Sequence, residues 1–167
     1  MGATGAVDAN RSLEERIVDL MREKKLTLAT AESCTGGMLA SRIIDVPGVS
    51  EVFKAGFVTY ANEAKQNLIG VKEETLAQFG AVSEQTAKEM VLGAMKAAKA
   101  DVAVATTGIA GPGGGTKEKP VGLVYIACGS AEDIVVNRCF FEGTRGEIRQ
   151  ASAEYALGML YRELMKE

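Results

Sequence analysis

The pattern of hydrophobic and polar positions predicts six helices and five strands along the chain. Apolar residues recur every three to four positions in the predicted helices and form short continuous or alternating runs in the predicted strands. The predicted helices span residues 12–25, 38–44, 62–69, 73–79, 83–99 and 144–166, and the predicted strands span residues 26–31, 52–60, 101–107, 121–128 and 134–141. Residues 1–11 are expected to form a flexible lead-in, and residues 12–167 a single domain.

The order of these elements predicts an α/β fold. Helices separate the first three strands, which favours parallel pairing, whereas a short connection at Gly129 and Ser130 predicts a hairpin for the last two. We therefore expect a single-domain three-layer α/β/α sandwich with a mixed, mostly parallel sheet, ending in a β-hairpin and a helix. Capping boxes predict the starts of the first and last helices, at Ser12 and Thr144.

The amino-acid composition excludes several classes of function for this chain. The 167 residues are 47% hydrophobic and 25% charged, which is typical of one soluble domain. With 19 basic and 22 acidic residues, the net charge of −3 argues against a dedicated nucleic-acid or membrane-surface binder. The sequence contains no histidine, so Ser-His-Asp and Cys-His catalysis and His-ligated zinc are excluded. Catalysis would have to use a carboxylate, lysine, tyrosine, hydroxyl or thiol.

Cysteine usage predicts a reducing compartment. The three cysteines are widely spaced and form no C-x-x-C pair, which does not fit a disulfide framework. The first residues lack the basic region and apolar run of a signal peptide, and no apolar stretch approaches the ~20 residues of a membrane helix. We therefore expect a cytoplasmic protein.

The first candidate site is the turn between the first strand and the second helix. It contains Ser33 and Cys34, which compete as nucleophile, and the residue types alone do not separate them. The backbone N–H groups of Thr35, Gly36 and Gly37 would suit a phosphate or a developing oxyanion. The alternative is an ordinary strand-to-helix turn capped by Thr35.

The second candidate site follows the next strand. Tyr60 and Lys65 come after the predicted strand 52–60, and ligands of open α/β sheets gather at the carboxyl ends of strands. The same edge would carry Ser33. Lys65 could act as a base only if burial lowered its pKa from ~10.4 to about 7–8. The alternative is a solvated helix lysine.

A glycine-rich loop, residues 108–115, connects two predicted strands. It fits neither the dinucleotide fingerprint nor the P-loop, since both of these motifs lead from a strand into a helix. Thr107 and Gly108 could still line a pocket. The alternative is a flexible connector.

Two arginines lie four positions apart at the start of the last helix and so share a face. Cations in a first turn oppose the helix dipole. The choice of Arg145 and Arg149 there suggests that an anion binds to this face. The alternative is a salt bridge to Glu142 or Glu147.

Taken together, these motifs resemble the CinA C-terminal domain family, whose stand-alone bacterial members are nicotinamide-nucleotide amidases. The resemblance covers roughly residues 12–164. It is carried by segments 31–37 (AESCTGG), 56–65 (GFVTYANEAK), 80–83 (GAVS), 108–112 (GIAGP) and 119–122 (KPVG), and by the Arg145 and Arg149 helix start ending in Gln150.

The resemblance implies a serine amidohydrolase with a Ser/Lys dyad that converts nicotinamide mononucleotide to nicotinic acid mononucleotide and ammonia. It makes Ser33 the nucleophile and Lys65 its base and later proton donor, with Tyr60 orienting Lys65 or sharing the proton transfer. The resemblance also implies that Thr107 and Gly108, together with Thr35, Gly36 and Gly37, bind the oxyanion or the substrate. Arg145 and Arg149 are implied to bind the phosphate.

The resemblance implies no cofactor and no metal. It also implies that the chain forms a homo-oligomer. The expected ligand is a small nucleotide substrate, and no nucleic acid or membrane is expected as a partner. The competing hypothesis is a non-catalytic nucleotide- or protein-binding module of a competence/damage-inducible protein. A third hypothesis, a general nucleotide-phosphate binder, depends on the glycine-rich loop alone.

Overall fold

The structure is a computed structural model and describes residues 10–166; most of the expected lead-in, residues 1–9, lies outside the described residues. The predicted helices and strands all form. Their bounds are α1 Leu13–Lys24, β1 Leu28–Glu32, α2 Met38–Ile44, β2 Phe53–Val58, α3 Asn62–Ile69, α4 Glu73–Phe79, α5 Glu84–Ala98, β3 Val102–Gly108, β4 Leu123–Gly129, β5 Ile134–Phe140 and α6 Arg145–Leu164. A 3₁₀ turn at Val49–Glu51 was not predicted. Within residues 10–166, no helix is both long and apolar enough to cross a bilayer.

The five strands form one mixed sheet in the order β2-β1-β3-β4-β5. Strand β1 is parallel to β2 and to β3, while β4 is antiparallel to β3 and to β5. Four of the five strands therefore point the same way, and β4 alone is reversed. This confirms the mixed, mostly parallel sheet and the terminal hairpin.

Helices cover both faces of the sheet, as expected of a three-layer sandwich. Helices α1, α2 and α6 pack on one face through a core of large apolar side chains. Helices α3, α4 and α5 pack on the other, where the central strands present mainly alanines: Ala29, Ala31, Ala103, Ala105 and Ala127. Because these side chains are small, α5 can lie close to the sheet, and α3 and α4 pack against α5.

Helix α3 is seated on α5 by backbone contact. A Cβ added to Gly93 of α5 would lie 1.7 Å from the carbonyl oxygen of Ile69, the last residue of α3. No side chain fits in this space, so only glycine permits this crossing. The contact matters for the site because α3 also carries Lys65.

Candidate active site

The parallel strands bring the predicted site residues to one edge of the sheet. Ser33 directly follows β1, Tyr60 follows β2, and Thr107 is near the end of β3. The N–H of Ser33 donates to the carbonyl of Thr106 at 3.0 Å, which continues the pairing of β1 with β3 up to the turn. Since parallel strands end at the same edge, three segments distant in sequence meet there.

Lys65 is buried beside Ser33. Its side chain is 1% exposed, and Nζ lies 3.2 Å from Ser33 Oγ. Nζ also donates to the carbonyl oxygens of Thr59 at 2.7 Å and Tyr60 at 3.4 Å. Desolvation by burial lowers the pKa of Lys65 to about 8. The alternative of a solvated helix lysine is therefore wrong.

These three contacts fit both protonation states of the amine, because an ammonium would donate to all three oxygens. A neutral lysine has two N–H bonds and one lone pair, and the carbonyls of Thr59 and Tyr60 can accept both hydrogens. The lone pair then remains for the hydroxyl hydrogen of Ser33. The arrangement can therefore remove a proton from serine, which is the activation that a hydroxyl nucleophile requires.

Glu32 was missed by the sequence analysis and is central to the turn. Its side chain is 1% exposed, and Oε1 accepts hydrogen bonds from the Thr35 hydroxyl at 2.6 Å and the Leu39 N–H at 2.8 Å. Oε2 accepts from the Ala40 N–H at 3.1 Å. A carboxylate from the preceding strand thus accepts hydrogen bonds from N–H groups in the first turn of α2. Its negative charge also interacts favourably with the positive end of the helix dipole. Its distance from the helix start matches no capping box, so local sequence gave no signal.

Thr35 is not the cap of α2, as the alternative interpretation of the turn required. The N-cap is Gly37, which has no side chain to donate or accept. The Thr35 hydroxyl instead bonds to Glu32 and lies 2.7 Å from Thr106 Oγ1. Positive φ angles of 57° at Gly36 and 100° at Gly37 complete the turn, and glycine adopts these at no steric cost.

The turn offers unused backbone donors next to the nucleophile. The N–H of Gly36 donates to the Ser33 carbonyl at 3.1 Å. In the part of the chain that the structure describes, the N–H groups of Cys34, Thr35 and Gly37 donate to no protein acceptor. Thr35 is fully buried, which leaves Cys34 and Gly37 as the candidate donors to a substrate. Free N–H groups beside a nucleophile are what an oxyanion hole requires.

Cys34 is poorly suited to act as the nucleophile. Its thiol is buried, and desolvation raises its pKa to about 11. The thiolate is the reactive form of cysteine, so little of it exists at neutral pH. The environment therefore favours Ser33 over Cys34.

A cavity of about 190 Å³ opens beside these groups. Seven residues proposed from the sequence line it: Ser33, Cys34, Tyr60, Lys65, Thr107, Gly108 and Arg145. Ala81, Val82 and Ala110 line it too and were not predicted, whereas the predicted residues Thr35, Gly36 and Gly37 do not line it. The Thr107 hydroxyl donates to the Ala81 carbonyl at 2.7 Å, which ties this wall to β3.

Arg145 bridges the mouth of the cavity. Its guanidinium donates to the Gly111 carbonyl at 2.7 Å and to the Tyr60 hydroxyl at 3.0 Å. Tyr60 is 63% exposed. The bridge links the glycine-rich loop to the end of β2, so that loop is more than a free connector.

Arg149 lies behind the Ser33 turn and does not line the cavity. Its Nε donates to the Cys34 carbonyl at 2.9 Å, and its Nη2 donates to the Thr35 carbonyl at 3.1 Å. Within residues 10–166, neither Arg145 nor Arg149 forms an ion pair. The alternative of salt bridges to nearby glutamates is therefore wrong.

The described residues contain no group of three or more His, Cys, Asp or Glu side chains arranged to hold a metal ion. The Ser33 hydroxyl, the Lys65 amine and the Tyr60 hydroxyl lie together at this edge.

Comparison with known proteins places this chain in a family. The family described as the CinA C-terminal domain matches residues 10–164. A CinA-like protein of Kosmotoga olearia is 51% identical over 154 residues, which cover 92% of this chain and 37% of that protein. The chain spans about two fifths of the length of the curated relatives it matches.

Solved structures agree with this assignment. The crystal structure of a competence/damage inducible protein from Agrobacterium tumefaciens is 46% identical and has a TM-score of 0.88, covering 92% of this chain and 94% of that one. A CinA superfamily protein from Escherichia coli is 33% identical with a TM-score of 0.84, covering 95% of this chain and 94% of that one.

Proposed function

The chain belongs to the CinA C-terminal domain family, and we propose that it is an amidohydrolase that uses a Ser33/Lys65 dyad. The proposed reaction converts the carboxamide of nicotinamide mononucleotide to the carboxylate of nicotinic acid mononucleotide and releases ammonia. The names of the relatives refer to competence and damage induction. The support for the amidase activity comes from the geometry of the site.

The observation that carries the proposal is the contact between Lys65 and Ser33. An amine that is 1% exposed lies 3.2 Å from a serine hydroxyl, with no carboxylate bound to it in the described chain. Burying an amine in this way is costly to stability unless it serves a purpose. A strongly shifted lysine that faces a nucleophile in a cleft is typical of a catalytic site.

Two steps account for the reaction. Neutral Lys65 takes the proton of Ser33 as Oγ attacks the amide carbon, and the resulting oxyanion accepts hydrogen bonds from the free N–H groups of the turn. Protonated Lys65 then gives its proton to the departing nitrogen, so that ammonia leaves and a serine ester remains. Water, deprotonated by Lys65, then attacks the ester carbon, and Lys65 returns that proton to Ser33 Oγ as the ester C–O bond breaks. The carboxylic acid that forms loses its own proton to the released ammonia or to solvent and leaves as the carboxylate.

The size of the cavity supports a small amide head group. Its volume of about 190 Å³ is below the roughly 300–1,000 Å³ typical of complete small-molecule sites. A pyridine carboxamide would enter, while the ribose and phosphate would extend past the mouth. Arg145 and Tyr60 lie there, and the Arg145 guanidinium is the cation of the cavity wall nearest to an emerging phosphate.

The test is ammonia release from nicotinamide mononucleotide by the purified protein. We expect release with the wild type and none above background with Ser33→Ala or Lys65→Met. Matched controls are Ser50→Ala and Lys88→Met, because both side chains are exposed and lie outside the site. Full activity in Ser33→Ala would refute the dyad. Tight nucleotide binding without any release would favour the non-catalytic module instead.

A further inference from the structure

We propose that Arg149 is a positioning residue that fixes the peptide planes of the turn after Ser33, and that it is not a phosphate ligand. This inference depends on the proposed amidase function. It concerns how the turn after Ser33 is held in a productive conformation.

The argument begins with the peptide unit that joins Cys34 to Thr35. In a trans peptide the C=O and N–H bonds point in opposite directions. Arg149 Nε holds the Cys34 carbonyl oxygen at 2.9 Å. The Thr35 N–H must therefore point away from Arg149, and it is one of the donors left unused by the protein.

The next peptide unit is held in the same way. Arg149 Nη2 donates to the Thr35 carbonyl at 3.1 Å, and the N–H of the same unit, at Gly36, donates back to the Ser33 carbonyl at 3.1 Å. One guanidinium thus fixes two consecutive peptide planes next to the nucleophile. Its planar fork is suited to two parallel hydrogen bonds, whereas an ammonium is a single point charge.

The turn needs such a restraint. Gly36 and Gly37 both have positive φ, and glycine allows peptide planes to rotate at little cost. On the opposite side, the Thr35 hydroxyl is fixed by Glu32 and Thr106. Only its carbonyl remains to be fixed, and Arg149 does so. A hydrogen bond from a cation to a carbonyl also polarises the peptide, which strengthens the N–H as a donor.

The position of Arg149 argues against a phosphate ligand. Arg145 lines the cavity and Arg149 does not. A Cβ on Gly36 would lie 3.1 Å from Arg149 Nη2, so the guanidinium already abuts the turn. Two of its N–H donors are already bound to carbonyls of this turn.

The test compares two substrates that differ only in phosphate, nicotinamide mononucleotide and nicotinamide riboside, with Arg149→Lys and Arg149→Met. A positioning role predicts that kcat falls about 10–100-fold on both substrates, with KM changed less than about threefold. Added guanidinium ion should restore part of kcat in Arg149→Met. Arg162→Lys, in an exposed part of the same helix, is the matched control.

The opposite result would overturn the inference. An unchanged kcat with a higher KM for the mononucleotide alone would make Arg149 a phosphate ligand. If the wild type released no ammonia, the proposed function would fail, and positioning would be judged by NMR instead. The positioning role would be supported if the amide signals of Thr35 and Gly36 shift in Arg149→Lys while the other signals stay in place. It would be refuted if these two signals do not change. The same spectrum reports whether the variant folds.

Discussion

Lys65 Nζ lies 2.7 Å from the carbonyl oxygen of Thr59, closer than to the hydroxyl of Ser33 at 3.2 Å. Thr59 comes just before α3, the helix that carries Lys65, so this helix directs its lysine back to the strand end from which it starts. The amine is thereby fixed by the backbone and does not depend on substrate for its position. Ser33, 32 residues earlier in the chain, meets a base that is already oriented.

The pH dependence of the reaction should report Lys65. Its free base is the reactive form, and burial lowers its pKa to about 8. We expect kcat/KM for ammonia release to rise about tenfold per pH unit below 8 and to level off above it. The phosphate of the substrate titrates near 6 and so can be separated from this step. A flat profile between pH 6.5 and 9.5 would contradict the role of Lys65 as base.

The burial of Lys65 should also affect stability. Between pH 8 and 10.5 the amine is neutral in the folded protein and charged in the unfolded chain, so the unfolded state binds more protons and the stability of the wild type rises with pH. The shift from 10.5 to about 8 corresponds to about 3 kcal/mol. Relative to Lys65→Met, the wild type should therefore gain up to that amount as pH rises.

Urea unfolding of both proteins at pH 7, 8.5 and 10 measures this difference. Lys88→Met is the control, because Lys88 is exposed and its variant should show no such trend. A difference between wild type and Lys65→Met that stays constant with pH would mean that Lys65 is not neutral in the folded protein.

The thiol of Cys34 should be dispensable. Because its pKa is raised to about 11 and its side chain is buried, it should be slow to react with iodoacetamide at pH 7.5. We expect Cys34→Ala to keep kcat within about threefold of the wild type, since the packing loss is small. Loss of ammonia release in Cys34→Ala, together with retention in Ser33→Ala, would move the nucleophile to the thiol.

The buried carboxylate of Glu32 should be important for stability. It accepts hydrogen bonds from one hydroxyl and two N–H groups. In Glu32→Gln, an NH₂ group replaces one carboxylate oxygen, so a donor would face the donors that this oxygen now satisfies. We expect this variant to lose about 2–4 kcal/mol of unfolding free energy. Denaturant unfolding measures this, with Glu118→Gln as control because Glu118 is exposed in a loop. A cost below about 0.5 kcal/mol would show that the turn does not depend on this carboxylate.

The crossing of α3 and α5 should not tolerate a side chain. Gly93→Ala would place Cβ 1.7 Å from the Ile69 carbonyl oxygen, so α3 and its Lys65 must shift. We expect a loss of at least about 3 kcal/mol in unfolding free energy and a large loss of ammonia release. Gly158→Ala in α6 is the control, where helix propensity predicts a gain of up to about 1 kcal/mol. Equal stability of the two variants would contradict this account of the crossing.

The contrast between Glu32 and Ser33 shows how far the sequence could go. The turn was identified because a nucleophile in a glycine-containing turn is a local pattern, but that pattern left Ser33 and Cys34 open, and the resemblance to the family selected Ser33. Glu32, its immediate neighbour, was missed because its partners Leu39 and Ala40 belong to a later helix and match no capping pattern. The same reason explains Arg149, whose type and helix face were evident but whose carbonyl partners lie 114 and 115 positions away.

The sequence by itself determined the helices, the strands and their order, because periodicity, capping boxes and turn residues act over a few positions. It also set the available chemistry, since a chain with no histidine must use other groups. Only the tertiary structure decided which of these groups meet. Burial and distance depend on how α3 sits on α5 and how β1, β2 and β3 align, and these contacts link residues far apart in the chain. For this reason Lys65 could be named as a candidate from sequence, while its lowered pKa and its place beside Ser33 appeared only in the folded protein.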